Sequence, residues 1–270
     1  MSDSFLSPWT LVGVGASFAF SSVFFNHYQQ KKVDIQKLKE IPSFQADEHL
    51  LKILKASPDR RLHYVAVEGV VQPVGEPLAS QFVPQCFGVV QKITAKEHWK
   101  FRNSSGVWVS KSLNAKETKN STPFWLVPRG SYLSEVRVRV ESPLKAEGDY
   151  LEQVHSGIRQ VDSGLLDGVL QDVMGEKLTA HEEREELLRV GTVLTGFGEL
   201  VLDNGAVMRL QPPRDGRTFV LLPGDHRSFL QRHENTASMW KAFSAVSGLT
   251  GATLLAAFLY SAVNKDQRRR

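Results

Sequence analysis

The sequence predicts an α+β fold in which two transmembrane helices flank a strand-rich domain that carries a helical insert. Two segments, residues 6–25 and 242–263, contain no charged residue. At about 1.5 Å of rise per residue, each is long enough to cross a hydrocarbon core of about 30 Å. Between them, short apolar runs bounded by Gly, Pro, Asn and Asp recur, which is the pattern of strands joined by turns.

The two apolar segments carry the interfacial residues expected of membrane spans. Trp9, Tyr28, Trp240 and Tyr260 lie near their ends, where amphipathic aromatic side chains favour the headgroup level. A cleaved signal peptide is the alternative for the first segment, but its start, MSDSF, lacks a basic region. A buried core helix is the alternative for the second, and its length argues against that. Basic residues flank both spans, so the positive-inside rule leaves the orientation open.

These segments and the helix-breaking prolines define a domain organisation. From the N-terminus it comprises a short tail (1–8), the first transmembrane helix (9–28), a helical linker (29–60), the strand-rich domain (61–228), a juxtamembrane helix (229–241), the second transmembrane helix (242–263) and a short basic tail (264–270). Within the linker, Pro42 interrupts the helical pattern. The juxtamembrane helix follows Asp225, which can cap it, and is expected to run into the second span without a break.

Strand-like segments dominate the domain. We predict strands at residues 64–71, 86–94, 107–110, 124–127, 136–141 and 218–222. The segment 136–141 alternates apolar and charged residues, which indicates one buried and one solvated face. Asn204 and Gly205 separate two apolar runs, and this dipeptide predicts a tight hairpin.

Gly196 and Gly198, in the stretch LTGFGELVL, raise the alternative of a phosphate-binding loop. Such a loop needs its glycines between a strand and a helix N-terminus, where backbone N–H groups hold the phosphate. Strand-like residues follow these glycines instead. We therefore expect them to permit a bulge or bend within a strand.

The helical insert is predicted from a change of period. Apolar residues recur at spacings of three and four over 151–173, which is typical of one face of a helix, interrupted by Gly157, Gly164 and Gly168. This face is expected to pack on the sheet, a lipid-surface helix being the alternative. Residues 179–182 match a capping box and predict a short acidic helix that ends before Gly191.

Residues that carry chemistry are scarce. The net charge of +4 is spread among acidic residues, without the clustered basic face of a nucleic-acid-binding protein. The eight histidines match no short zinc-ligand spacing, and no G-x-S-x-G nucleophile motif occurs. The single cysteine, Cys86, is either a small buried apolar residue or a reactive thiol. We expect no catalytic, cofactor-binding or metal-binding residue in this chain.

Small residues recur every fourth position along both spans and predict close helix packing, either between the two spans or with a second copy. They are Gly13, Ser17 and Ser21 in the first span and Ser244, Gly248, Ala252 and Ala256 in the second.

Several longer motifs occur in a fixed order between the two spans. They are EGVVQPVGEPLASQFVPQCFGVVQKITAKEH (68–98), TPFWLVP (122–128), VRVRVESPL (136–144) and VGTVLTGFGELVLDNGAVMRLQPP (190–213). Together they closely resemble the family of the mitochondrial ubiquitin ligase activator of NF-κB, also called mitochondrial-anchored protein ligase. The resemblance covers about residues 5–265.

The resemblance implies a location and a topology. In that family the strand-rich domain is the "beside a membrane" domain and lies in the intermembrane space, the two spans cross the mitochondrial outer membrane, and both termini face the cytosol. After the second span the family continues with a linker and a RING finger, which binds two zinc ions and docks a ubiquitin-loaded E2. Here residues 264–270 follow the span, and one cysteine cannot supply the RING ligands. A RING-less member without the family's zinc is therefore expected.

Three functions remain open at this stage. The first is a membrane-anchored adaptor or modulator of ubiquitination and of mitochondrial dynamics or innate and NF-κB signalling. The second is a RING-type E3 ubiquitin or SUMO ligase whose RING is supplied by a complex or a longer isoform, so catalysis by this chain stays uncertain. The third is a membrane-anchored enzyme that uses Cys86. The expected partners are the lipid bilayer, membrane or signalling proteins, and a full-length relative or a second copy, with no nucleic acid.

Overall fold

The computed structural model describes residues 8–130, 136–161, 176–203 and 207–267. Its contacts divide the chain into two compact units. One combines the two chain ends, residues 1–41 and 227–270, and the other consists of residues 42–226. The first is called the helical unit below, and the second the strand unit.

The helical unit is built from two long helices. Helix α1 spans Pro8–Glu40 and helix α3 spans His226–Gln267. Both are long and apolar enough to cross a membrane. Helix α1 continues from its apolar segment to Glu40 without interruption, so the first part of the predicted helical linker belongs to α1, which ends just before Pro42. Helix α3 likewise runs without a break through residues 229–263, as the sequence predicted.

The strand unit contains one short helix, α2 (Glu48–Ala56), and a 3₁₀ turn at Pro143–Lys145. Its described strands are β1 (Ser43–Gln45), β2 (Arg61–Pro73), β3 (Leu78–Ala79), β4 (Phe87–Arg102), β5 (Trp108–Ser121), β6 (Phe124–Val127), β7 (Val138–Val140), β8 (Glu152–Gln160), β9 (Glu176–Arg189), β10 (Val193–Leu202), β11 (Met208–Gln211) and β12 (Val220–Pro223). The strands predicted from the sequence between residues 64 and 141, and that at 218–222, are confirmed, although β4 and β5 are much longer than expected.

Five of the strands close into a ring. Strand β2 pairs antiparallel with β6, β6 with β7, β11 with β10, and β10 returns antiparallel to β2, while β7 and β11 are parallel. In chain order this is the 1-2-3-5-4-1 connectivity of the OB-fold, a small Greek-key barrel. Strand β1 adds to β2, and β12 adds to β10. Because the ring is closed, each of its five strands is hydrogen-bonded to a neighbour on both sides over at least part of its length.

A second sheet is built from two parts of the chain, one between the first and second barrel strands and one between the third and fourth. Its central strand, β4, pairs with β9 on one side and with β3 and β5 on the other, and β8 pairs with the outer edge of β9. All of these pairings are antiparallel. The chain enters this sheet twice, through residues 78–121 and through residues 152–189.

The core of the strand unit is the apolar interior shared by the barrel and α2. Leu50 and Leu54, on one face of α2, are fully buried together with Phe124, Leu200 and Leu210. The helix begins with an N-cap, because the Asp47 carboxylate accepts a hydrogen bond of 3.0 Å from the Leu50 amide. Burial of the two leucines contributes about 2–3 kcal/mol each to stability.

Strand β10 confirms the interpretation of the two glycines. Its pairing with β2 shifts register between Gly198 and Leu200, which is the predicted bulge. A Cβ atom on Gly198 would lie 2.7 Å from the Gln211 carbonyl oxygen of β11. The strands β10 and β11 form the predicted hairpin, with Leu202 opposite Met208, although Asn204 and Gly205 lie outside the described residues.

The predicted helical insert is wrong where the structure describes it. Residues 152–160 form β8, and the proposed capping box at residues 179–182 lies inside β9. The error has a physical origin: Val154 and Ile158 are four residues apart, and a spacing of four places side chains on one face of a helix and also on one face of a strand. The remaining part of the predicted insert, with Gly164 and Gly168, lies outside the described residues.

A buried carboxylate ties the second sheet to the loop that follows β3. The Glu185 side chain of β9 is fully buried. It accepts hydrogen bonds from Ser80 Oγ at 2.6 Å, from Gln91 Nε2 at 2.6 Å and from the Gln81 amide at 3.1 Å. Burial acts to raise the pKa of Glu185, but the hydrogen bonds outweigh it and hold the pKa below the ordinary value of 4.5.

The close approach at Gly198 predicts a cost for any side chain there. Gly198→Ala should destabilise the strand unit by about 1–3 kcal/mol, because the new methyl group meets backbone rather than a movable side chain. Urea unfolding of the full chain in detergent measures this. Gly157→Ala in β8 is the matched control, since the nearest atoms to its Cβ would belong to the ring of His155, which is only half-buried. An equal or larger loss for Gly157→Ala would contradict the assignment of the close approach.

The Glu185 network predicts a dependence of stability on pH. Because its folded-state pKa is lowered, the ionised carboxylate stabilises the fold above pH 4.5, and this stabilisation is lost as the pH falls through the folded-state pKa. Glu185→Gln should therefore cost about 1–3 kcal/mol at neutral pH, and its deficit relative to the wild type should shrink in acid. Urea unfolding at several pH values tests this, with Glu176→Gln, an exposed position of β9, as the control. A deficit that is constant across the pH range would refute the role of the charge.

Candidate functional site: a paired-helix membrane anchor

The two long helices pack side by side in opposite directions. A Cβ added to Gly13 of α1 would lie 3.9 Å from Leu254 of α3, and one added to Gly251 would lie 3.2 Å from the Ser17 side chain. Further along, the Phe24 ring lies 5.7 Å from that of Trp240. Residues that advance along α1 thus meet residues that recede along α3, which defines an antiparallel pair.

Two serines join the helices at the middle of the pair. Ser21 Oγ donates to the Ser244 carbonyl oxygen at 2.9 Å, and Ser244 Oγ donates to the Ser21 carbonyl oxygen at 3.0 Å. This reciprocal contact is called the serine clasp below. In a hydrocarbon environment, each interhelical hydrogen bond of this kind contributes about 0.6 to 1 kcal/mol.

The small residues proposed for helix packing divide into two groups. Gly13, Ser17 and Ser21 of α1 are half-buried, as are Ser244 and Gly248 of α3. A Cβ on Gly248 would lie 3.1 Å from Ser21 Oγ. Ala252 and Ala256 are exposed and do not belong to this interface.

Gly251 is the interface residue that the sequence analysis missed. It is buried and lies against α1, in place of the expected Ala252. Contacts along α3 follow positions 244, 248 and 251, which alternate spacings of four and three. A helix has 3.6 residues per turn, so a strict spacing of four drifts away from the partner helix. A search for alternating spacings would have found Gly251.

An aromatic cluster continues the interface towards the strand-unit ends of the helices. Trp240 contacts Phe24, with 5.7 Å between ring centroids, and His27, with 5.3 Å between centroids. Phe243 also lies 6.0 Å from Phe24. Such rings suit the boundary between hydrocarbon and headgroups, where an apolar body and a polar edge are both accommodated.

Cys86 occupies the turn that leads into β4. Its backbone carbonyl accepts a hydrogen bond of 2.8 Å from the Ser80 amide, and its side chain is half-buried. Within the described residues, no histidine or carboxylate is hydrogen-bonded to its thiol. A nucleophilic thiol needs such a base or a nearby cation, so the geometry offers no support for the enzyme hypothesis.

A cavity of about 260 Å³ lies in the strand unit, beside Tyr150 and Pro223. Leu187 and Leu188 form apolar walls, and Tyr150 Oη donates to the Pro143 carbonyl oxygen at 3.0 Å. Burial raises the pKa of Tyr150.

In the part of the chain that the structure describes, no group of three or more His, Cys, Asp or Glu side chains is placed to hold a metal ion.

Comparison with known proteins places this architecture in a family. Residues 93–256 match the family described as "GIDE: E3 Ubiquitin ligase". The Danio rerio protein named mitochondrial ubiquitin ligase activator of nfkb 1-A is 38% identical over 246 residues, which cover 91% of this chain and 71% of that protein. The human mitochondrial ubiquitin ligase activator of NFKB 1 is 35% identical over 259 residues, covering 95% of this chain and 73% of that protein.

A more distant relative carries a similar name. The Drosophila melanogaster protein named mitochondrial E3 ubiquitin protein ligase 1 is 26% identical over 96% of this chain and 74% of its own length. No solved structure matches the chain. The family match and the identity with its vertebrate relatives show that this chain belongs to the GIDE family of E3 ubiquitin ligases, together with the mitochondrial ubiquitin ligase activators of NFKB 1.

Proposed function

We propose that these 270 residues act as the membrane anchor and assembly module of a ubiquitin ligase system at the mitochondrial outer membrane. The observation that carries the proposal is the antiparallel helix pair, which can hold the strand unit at a bilayer through both of its ends. Family membership supports a role in ubiquitination, and the relatives' names support a mitochondrial site. Signalling through NF-κB or control of mitochondrial dynamics would be downstream effects of such a module.

Anchoring and assembly are proposed in place of catalysis because of the residues present. A RING finger holds two zinc ions in closed sites built largely from cysteine thiolates, and these residues contain one cysteine. The RING that docks an E2 would therefore come from a partner chain or from residues outside these 270. On this proposal the chain influences ligation by occupying a subunit position beside a RING-bearing relative.

The outer surface of α3 offers a place for that association. Ala252 and Ala256 are exposed, and the neighbouring Leu249 and Val263 are exposed apolar residues on the same helix. Small residues let helix backbones approach closely in a bilayer. Because Ser244 and Gly248 face α1, the two alanines are free to contact another helix without disturbing the pair.

The topology proposed from the family resemblance places the strand unit in the intermembrane space and both termini in the cytosol. Two exposed asparagines in sequons, Asn103 and Asn120, make this testable. Asn103 lies in the turn between β4 and β5, where its Oδ1 accepts a hydrogen bond of 2.8 Å from the Val107 amide. Its side-chain nitrogen is on the surface, open to a glycosyltransferase if the domain were in the lumen of the endoplasmic reticulum.

The assembly role predicts a change in the activity of a relative. Added to liposomes that carry a RING-bearing family member, the chain should lower E2-dependent ubiquitin transfer, because mixed assemblies hold fewer E2-docking sites. Alone, the chain should not discharge ubiquitin from an E2. Gel-based transfer assays measure both outcomes.

Variants separate assembly from simple crowding of the membrane. Ala252→Ile together with Ala256→Ile should abolish the effect and the co-purification with the relative, while Thr250→Ile, at an exposed position on a different face of α3, should leave both intact. Zinc-dependent ubiquitin transfer by the chain alone would refute the proposal that the RING comes from a partner or from residues outside these 270. Unchanged inhibition by the double variant would remove α3 from the interface.

The proposed location predicts the absence of N-glycans. In human cells, the wild-type chain should co-fractionate with mitochondria and show no mobility shift after glycosidase treatment, since the intermembrane space lacks the glycosylation machinery. A version targeted to the endoplasmic reticulum by an added signal sequence should be modified at Asn103, which shows that the sequon is competent. Glycosylation of the untargeted chain would contradict the mitochondrial placement.

A further inference from the structure

A cavity of about 400 Å³ lies between α1 and α3, just beyond their charge-free segments. Its floor is apolar, since Ile35 and Ala237 are both buried. Tyr28 lines the end of the cavity nearest the first charge-free segment. This volume falls within the range of about 300–1,000 Å³ that is typical of small-molecule binding pockets.

The rim of the cavity carries excess positive charge. Lys32, Lys39 and Lys241 line it together with one acidic residue, Glu234. Lys39 Nζ lies 2.6 Å from Glu234 Oε1, so these two charges neutralise each other. Within the described residues, Lys32 and Lys241 have no ion-pair partner. The cavity therefore presents two uncompensated ammonium groups, one from each helix.

With the charge-free segments in the hydrocarbon core, Lys241 lies at the level of the lipid headgroups and Lys32 lies a few ångströms beyond them. Lys241 directly precedes the charge-free segment 242–263, and Lys32 lies seven residues after the end of the segment 6–25, which is about 10 Å along the helix. The headgroup layer occupies about 5–7 Å on each side of the hydrocarbon core. Flexible lysine side chains reach several ångströms along a helix, so both ammonium groups can meet a phosphate at this level.

We propose that this cavity binds the head group of an anionic phospholipid, whose phosphate contacts Lys32 and Lys241. A phosphate diester carries one negative charge spread over two non-bridging oxygens, each of which can accept a hydrogen bond from an ammonium group, and basic pockets between transmembrane helices favour such head groups. The glycerol backbone would lie over the apolar floor at Ala237, and the acyl chains would follow the exposed apolar surface of the helices. The bound lipid would bridge α1 and α3 on the strand-unit side of the serine clasp.

This assignment differs from ordinary interfacial anchoring by lysine. Single lysines beyond a span commonly extend into the headgroup layer and attract anionic lipid without a defined site. Here two lysines from different helices line one cavity with an apolar floor, and Glu234, the one carboxylate found on its rim among the described residues, is paired with Lys39. If the cavity is a defined site, removing positive charge inside it weakens lipid binding more than removing the same amount of charge outside it.

The experiment measures phosphatidylglycerol bound to the full chain in phosphatidylcholine nanodiscs by native mass spectrometry. Lys32→Gln together with Lys241→Gln should weaken binding about 30-fold, which corresponds to about 1 kcal/mol for each lysine. Lys37→Gln together with Arg227→Gln removes the same charge from the same helices outside the cavity and should change binding by less than twofold. Lys32→Arg together with Lys241→Arg keeps the charge and should retain binding.

Three results would overturn the proposal. Equal losses of phosphatidylglycerol binding in the two glutamine double variants would show that positive charge anywhere on the helices attracts the lipid. No loss of binding in either variant would show that the cavity is not a lipid site. Binding of glycerol 3-phosphate to the chain in lipid-free micelles as tightly as phosphatidylglycerol would assign the site to a soluble phosphate ester. Circular dichroism of every variant establishes that the helices remain folded.

Discussion

The antiparallel pairing of α1 and α3 is the interaction on which the rest of the molecule depends, because both ends of the strand unit are covalently attached to it. In the bilayer proposed for these helices, hydrocarbon would solvate apolar side chains as well as a neighbouring helix does, so the pair could not rely on the hydrophobic effect there. Close approach at Gly248 and Gly251 and the hydrogen bonds between Ser21 and Ser244 supply the attraction instead. The same pairing creates the basic cavity, since its two unpaired lysines come from different helices.

The strand unit combines a closed barrel with a second, open sheet. Pairing of β10 with β2 closes the barrel, and the absence of a side chain at Gly198 lets β10 approach β11 closely. The second sheet is formed by two excursions of the chain out of the barrel, and among the described residues β5 pairs only with β4 and β8 only with β9. Connectivity of the OB-fold type says nothing about activity, because that architecture carries many unrelated functions. The helix pair and the family, rather than the barrel topology, therefore carry the information about function.

Local patterns in the sequence predicted most of the barrel, while features that depend on distant residues were missed. The alternation at 136–141 and the Asn-Gly hairpin each report on a few neighbouring residues, and both led to correct strands. The strand β8 was mistaken for a helix because its apolar spacing of four fits either period. The burial of Glu185 was not predicted, since its partners Ser80 and Gln91 lie about a hundred residues away in the chain. Gly251 was not predicted as an interface residue because positions spaced strictly by four rotate gradually away from the partner helix.

Cysteine cross-linking at the serine clasp tests the paired anchor most directly. The chain has a single native cysteine, so Cys86→Ser provides a clean background for Ser21→Cys with Ser244→Cys, positions whose hydroxyl oxygens lie 3.4 Å apart. In liposomes, mild oxidation should form an intramolecular disulfide in this pair. Val23→Cys with Val246→Cys, two exposed positions on the same helices, should not cross-link within one chain. Equal rates for the two pairs, or disulfides formed only between chains, would contradict the antiparallel pairing of α1 and α3.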